Sequence, residues 1–212
     1  MPKLSVVLPS WGRYDLTLRM LNSISLQTFE DYELFFLGDA CQIFEKIILS
    51  EDFKYFKKIF KNRIIVKNFL KHDGTSAQAI NYAMKNCTGE YFLFLSNDDV
   101  IFPNHFENYY LMSKKSGKDF AIFNTYMDCG DGRLIKRKPE LAATRVGHSE
   151  LCISNNMTKI LPEHSRVYGH DWEFITNAIK HKFKPDFVEN LPTYIVNLNH
   201  NREHNWEAER IV

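Results

Sequence analysis

GEYFLFLSNDDV, Gly89 to Val100, sets an unbroken apolar run against two adjacent carboxylates. Phe92, Leu93, Phe94 and Leu95 leave no polar position for a solvent face, so the strand they predict is buried on both sides. Burial on both sides belongs to a mostly parallel sheet with helices on each face. Nothing in burying four apolar residues requires Asp98 and Asp99 to follow. In open parallel sheets, ligands bind beyond the carboxyl ends of the strands, and the two acids fall there. Either they turn or cap the chain ahead of a helix after Pro103, or they hold a ligand. Adjacent carboxylates repel unless something positive lies between them, and a divalent cation such as Mg2+ or Mn2+ takes hard oxygen ligands.

Working outward, strands and helices alternate through the first two-thirds of the chain. Leu4 to Leu8 reads as a short strand stopped by Pro9, and Arg13 to Leu26 has helical spacing. Tyr32 to Leu37 is a second strand, ended by Gly38 and followed by Asp39. Ile43 to Ile59 is helical with an interruption near Ser50, and Arg63 to Lys67 is a third strand. His72, Asp73 and Gly74 then form a loop at the binding edge, where Gly74 permits close backbone approach. Ser76 to Asn86 is helical, and Thr88 and Gly89 punctuate it before the quoted strand. The last third is mixed. Phe120 to Tyr126 predicts one strand, Cys129 to Arg133 a turn, and Leu134 to Arg137 its hairpin partner. Asp171 to Lys182 predicts a helix and Thr193 to Leu198 a final strand. The expectation is a single α/β domain over residues 1–212, with a mostly parallel Rossmann-like sheet, helices on both faces and a mixed C-terminal half.

Composition narrows the function classes. The chain has 212 residues and a formal net charge of +1, so no global charge favours nucleic acid. Arg133 to Lys138 is basic, but a solvated hairpin explains it. Cys41, Cys87, Cys129 and Cys152 form no C-x-x-C pair, which argues for reduced thiols rather than a zinc or redox motif. No stretch reaches the roughly 18 apolar residues of a membrane span. A cytoplasmic protein is expected, with peripheral membrane contact left open.

The segments "SVVLPSWGRYDLTLRMLNSISLQT", "GTSAQAINYAMKNCTGEYFLFL" and "SNDDV" together resemble the family-two glycosyltransferases, which have the A-type nucleotide-diphospho-sugar transferase fold. The resemblance covers roughly residues 3–102 and continues more weakly to about 205 through "YGHDWEF". It implies a nucleotide-binding half up to about residue 102 and an acceptor-binding half after it. It implies that Pro9, Ser10, Arg13, Asp73, Gly74 and Asn97 line the nucleotide-sugar site, that Asp39 accepts from the nucleotide base, and that Asp98 binds ribose or orders the metal site. Asp99 would ligate Mn2+ or Mg2+ on the diphosphate, with His200 as a second metal ligand and His204 its rival. Asp171 would be the catalytic base and Glu173 the weaker candidate; His148 would face the sugar. The sequence departs from the family in Ala40-Cys41-Gln42 after Asp39 and in Asn97 at the first position of the acidic motif.

The implied reaction is inverting, metal-dependent transfer from a nucleotide-diphosphate sugar, UDP-linked by default, to a hydroxyl acceptor in polysaccharide or glycoconjugate synthesis. Two other readings stand beside it. A nucleotidyltransferase would show a Gly-rich basic loop after the first strand, where "PSWGRYD" has one Gly and one Arg. An inactive nucleotide-sugar-binding protein would have no need of Asp99 or Asp171.

Overall fold

The computed structural model describes residues 1–72, 74–165 and 169–197. The first half runs β1 (Leu4–Ser10), α1 (Tyr14–Ser25), β2 (Tyr32–Gly38), α2 (Gln42–Leu49), α3 (Glu51–Phe60), β3 (Ile64–Asn68), α4 (Ala77–Asn86) and β4 (Tyr91–Phe94). The second runs β5 (Val100–Ile101), α5 (His105–Ser116), β6 (Phe120–Phe123), β7 (Thr125–Asp128), β8 (Leu134–Arg137), β9 (Leu151–Ser154), α6 (Asn155–Ile160), α7 (His170–Lys180), β10 (Pro185–Val188) and β11 (Tyr194–Asn197).

Seven strands form the main sheet in the order β10-β6-β9-β4-β1-β2-β3. β1 pairs in parallel with β2 on one side and β4 on the other. The chain therefore reverses its direction of travel across the sheet at β1, which opens a crevice at the strand ends there. β9 is the antiparallel member, inserted between β4 and β6. A second sheet, β5-β11-β7-β8, covers the outlet of β4.

Alternation along the central strands explains the continuous apolar runs. Leu4, Val6 and Leu8 join one buried cluster with Leu34, Phe36, Leu93 and Leu95. Val7 joins the opposite cluster with Phe35, Leu37, Phe92 and Phe94. Both faces are filled, and each such side chain contributes about 1.5–3 kcal/mol on burial. Gly89 lets β4 start: a Cβ there would lie 2.6 Å from the Leu4 carbonyl carbon.

Two strand expectations are corrected. β1 does not stop at Pro9 but runs to Ser10, with Pro9 opposite Leu37. Its ladder to β4 ends at Val7, so one flank of Pro9 has no strand to pair with. The single strand expected over Phe120 to Tyr126 is two strands in different sheets. The break is Asn124, whose backbone N–H donates to Asn190 Oδ1 at 3.1 Å. The expected hairpin partner, β8, does pair antiparallel with β7.

Candidate active site

A cleft of about 420 Å3 opens at the ends of β1, β2 and β4. Pro9, Ser10, Arg13, Asp39, Gly74, Asn97, Asp98 and His148 all line it. Asp73, His200 and His204 lie outside the described residues.

The first wall comes from the loops after β1 and β2. Gly12 and Arg13 both have positive φ (61° and 54°), and so does Ala40 (51°). Non-glycine residues are uncommon there and cluster at functional sites. The turn sends the Arg13 side chain across to the β4 end, where Nη1 lies 3.0 Å from Asp98 Oδ2. Gly38 sits where a Cβ would meet Phe44 Cγ at 2.4 Å, so the chain can turn Asp39 into the cleft only without a side chain before it. Asp39 Oδ2 faces His72 Nδ1 at 2.5 Å, and its Oδ1 accepts from Gln78 Nε2 at 3.2 Å. Trp11 stacks on His72 with centroids 5.2 Å apart and planes 16° apart. His72 was expected at this edge, but its stacking on Trp11 and the part played by Gln78 were not. The position of Trp11, directly past a strand end, was the available signal.

The acid doublet divides. Asp98 lines the cleft; its backbone carbonyl accepts from Arg19 Nη2 at 2.6 Å. The Asp99 side chain turns instead toward β11. Its Oδ2 accepts from Tyr194 Oη at 2.7 Å and its Oδ1 from the Asn197 backbone N–H at 2.8 Å. Tyr194 Oη in turn accepts from the Ser96 backbone N–H at 3.0 Å. Burial, then the neighbouring Asp98 charge, raises the Asp99 pKa, against the hydrogen bonds from Asn197 and Tyr194. Sequence reasoning gave Asp99 the metal; in the structure both of its oxygens are engaged by β11, and Asp98 is the carboxylate presented to the cleft.

From the C-terminal half, His148 lines the cleft, while Asp171, expected as the catalytic base, is not among the lining residues. Asp171 stands in the first turn of α7. Its Oδ1 accepts from the Trp172 backbone N–H at 2.8 Å, and its Oδ2 lies 3.4 Å from where a Cβ on Gly147 would be. It thus sits over Gly147, the neighbour of the cleft residue His148. Glu173, the rival base, is exposed and accepts from Ser165 Oγ. Beneath Gly147, Glu150 is fully buried against Arg137 Nε at 3.1 Å; burial raises its pKa, opposed by that guanidinium.

A mostly parallel sheet with a crevice at the β1 reversal and an acid at the β4 outlet is the architecture of the A-type glycosyltransferases. Staphylococcus aureus TarS, residues 1–349 in complex with UDP, superposes with a TM-score of 0.72 at 15% identity over 92% of this chain and 60% of that one. A mannosyltransferase from Pyrobaculum calidifontis, PcManGT, in complex with GDP-Man and Mn2+, gives 0.73 at 15% identity over 99% and 61%. The chain belongs to glycosyl transferase family 2, whose model matches residues 5–179. Among curated relatives, a poly(ribitol-phosphate) beta-glucosyltransferase of Bacillus spizizenii is 30% identical over 122 residues, 57% of this chain and 18% of that protein. The chain spans 17% to 57% of the length of the curated relatives it matches. Among the described residues, no helix is long and apolar enough to cross a membrane.

Proposed function

We propose that this chain transfers a sugar from a uridine diphosphate donor to a hydroxyl of a carbohydrate or polyol-phosphate acceptor, with inversion at the anomeric carbon. The observation that carries this reading is the meeting of Asp39, Arg13 and Asp98, from three strand outlets, in one cleft. The UDP complex of TarS and the poly(ribitol-phosphate) transferase among the relatives support the donor and acceptor classes.

The base lies against the Trp11–His72 stack, and Asp39 accepts its N–H. Stacking of this kind contributes about 1–3 kcal/mol per base. The donor set fits a hard divalent ion. Mg2+ and Mn2+ prefer oxygen, and Mg2+ commonly takes one or two carboxylates and completes its shell with substrate phosphates and water. Asp98 offers a carboxylate in the cleft without disturbing the β11 contacts of Asp99. Bound there, the ion supplies positive charge opposite the departing diphosphate. Arg13 adds a fixed guanidinium to the same oxygens. Asp171 takes the proton of the acceptor hydroxyl as it attacks from the opposite face, and the α7 backbone holds its carboxylate in place. The half up to about residue 102 binds donor, and the remainder presents the acceptor.

Calorimetry with UDP and Mn2+ tests the assignment. Asp98→Ala should abolish metal-dependent UDP binding and leave the fold intact. Asp99→Ala should instead leave the Tyr194 hydroxyl and Asn197 amide buried without an acceptor, costing about 1–3 kcal/mol each. Unchanged affinity in Asp98→Ala would return the metal role to Asp99.

A further inference from the structure

The reaction proposed above leaves a cluster of rings in the C-terminal half unused. His148 opens a short 3-10 turn before β9, His164 sits in the segment after α6, and His170 is the first residue of α7. A ligand nitrogen from each lies within 4.8 Å of the other two. His164 Nδ1 and His170 Nδ1 are 3.3 Å apart. Two ligands of a tetrahedral zinc ion with bonds of about 2.0–2.1 Å stand about 3.3 Å apart, so this pair already has the required separation. The wider gap to the third ring is of a size that small side-chain rotations span.

Two further observations point to a ligand. His148 Nε2 is buried and has no hydrogen-bond partner; His164 has a partnerless buried nitrogen too, its Nε2, which is not the Nδ1 that faces His170. A buried polar atom left unpaired costs about 1–3 kcal/mol, and native structures rarely leave two side by side. The His148 and His164 rings are also packed against aromatic carbon, while His170 Nε2 meets Ser76 Oγ at 3.4 Å. Phe94 stacks on His148 at 4.6 Å and 20°, and Phe174 stacks on His164 at 4.4 Å and 10°. Burial holds both imidazoles neutral, His164 down to about 3, and the neutral ring is the form that ligates.

We propose that His148, His164 and His170 form a binding site for a borderline transition ion of the zinc class, chemically distinct from the oxygen-ligand site at Asp98. Three nitrogen donors suit zinc and reject Mg2+. Three protein ligands leave a fourth position, the arrangement of zinc sites that receive water or a substrate atom. Because His148 also lines the cleft, that position is open to an oxygen of a bound ligand.

The test uses the whole chain stripped by chelator. Zn2+ is titrated by calorimetry in millimolar Mg2+, and Co2+ by its visible absorption, which is strong only in a tetrahedral site. One equivalent should bind, indifferent to Mg2+. His164→Phe preserves the stack on Phe174 but not the ligand, and His170→Gln removes a less buried ring. Each should weaken Zn2+ by about 100-fold or more, since even outer-shell losses cost 10–100-fold. His181→Gln, an exposed ring elsewhere on the chain, should change nothing. Absence of binding overturns the site, as does retention of full affinity in His170→Gln. Melting curves show whether His164→Phe folds, and His170→Gln decides the matter if it does not.

Discussion

The two sides of the site solve opposite problems. On the wall built by the β1, β2 and β4 outlets, each acid meets a cation or donor: Asp98 has Arg13, and Asp39 has His72 and Gln78. Its backbone is bent into left-handed conformations to achieve this. On the other side, Gly147, His148, His164 and α7, of which His148 lines the cleft, the backbone of the described residues is ordinary apart from the glycine before α7, yet two buried nitrogens have no partner. One side spends strain to satisfy its charges before any ligand arrives. The other leaves polar capacity open. The contrast fits a donor site formed in advance beside a region completed by what binds.

The largest effect that would break this contrast is at Asp171. If the C-terminal side performs the chemistry while the first wall holds the donor, Asp171→Asn should bind UDP and Mn2+ normally and lose about 10²–10⁴ in transfer rate. Paired calorimetry and product assays with a turned-over acceptor check it, and loss of donor affinity would move Asp171 into the donor site. Next is Arg13→Gln, which leaves the Asp98 carboxylate buried without its guanidinium. Breaking such a pair costs about 3 kcal/mol when both charges are well buried, and about 2 kcal/mol is expected for this partly exposed arginine. Asp98→Asn should cost less, because the guanidinium it leaves behind is the more exposed partner and keeps Asn97 Oδ1 at 3.4 Å; chemical denaturation ranks the two. An equal loss would mean that the cost is that of the shared pair rather than of a stranded Asp98 carboxylate.

The smallest effect sharpens the comparison with a buried ring that does have a partner. His105 is wholly buried, its Nδ1 3.0 Å from Thr193 Oγ1, and burial lowers its pKa to about 3. Folded His105 stays neutral while the unfolded ring protonates near 6.5. The unfolded state therefore binds the extra proton, and stability is lost as pH falls from about 6.5 toward 3. At pH 5 this amounts to about 2 kcal/mol. His105→Gln should flatten the stability profile between pH 7 and pH 5 by that amount. A profile parallel to the parent's would show that His105 is not the group responsible.

Much of the first wall was legible in the sequence. An apolar run with no polar face implies two-sided burial, and the residues after such strands must gather at one edge, so Arg13, Asp39 and Asp98 could be placed together. The direction of each side chain at that edge was not legible. Asp99 faces away because Tyr194 and Asn197 reach it from β11, residues nearly a hundred positions on. The split of Phe120 to Tyr126 depends in the same way on Asn190, and the insertion of β9 between β4 and β6 leaves no periodic trace. The histidine cluster was hidden too. Its members are spaced 16 and 6 residues apart, a pattern matching no metal motif, and they are brought together by the packing of Phe94 and Phe174 and by the Asn81 side chain, which bonds the His164 backbone.

The division of the acid doublet has a consequence for how this chain tolerates change. Consecutive residues with one charge and one volume answer to different pressures. A deep mutational scan would find both positions intolerant, and read by survival alone they would look like one motif. Scored separately for cellular abundance and for turnover, they should part company: substitutions at Asp99 deplete the protein itself, through the junction between its two sheets, while on the proposed assignment those at Asp98 leave a full complement of silent molecules. On that assignment, what reads as a single signature is two independent constraints that happen to be neighbours.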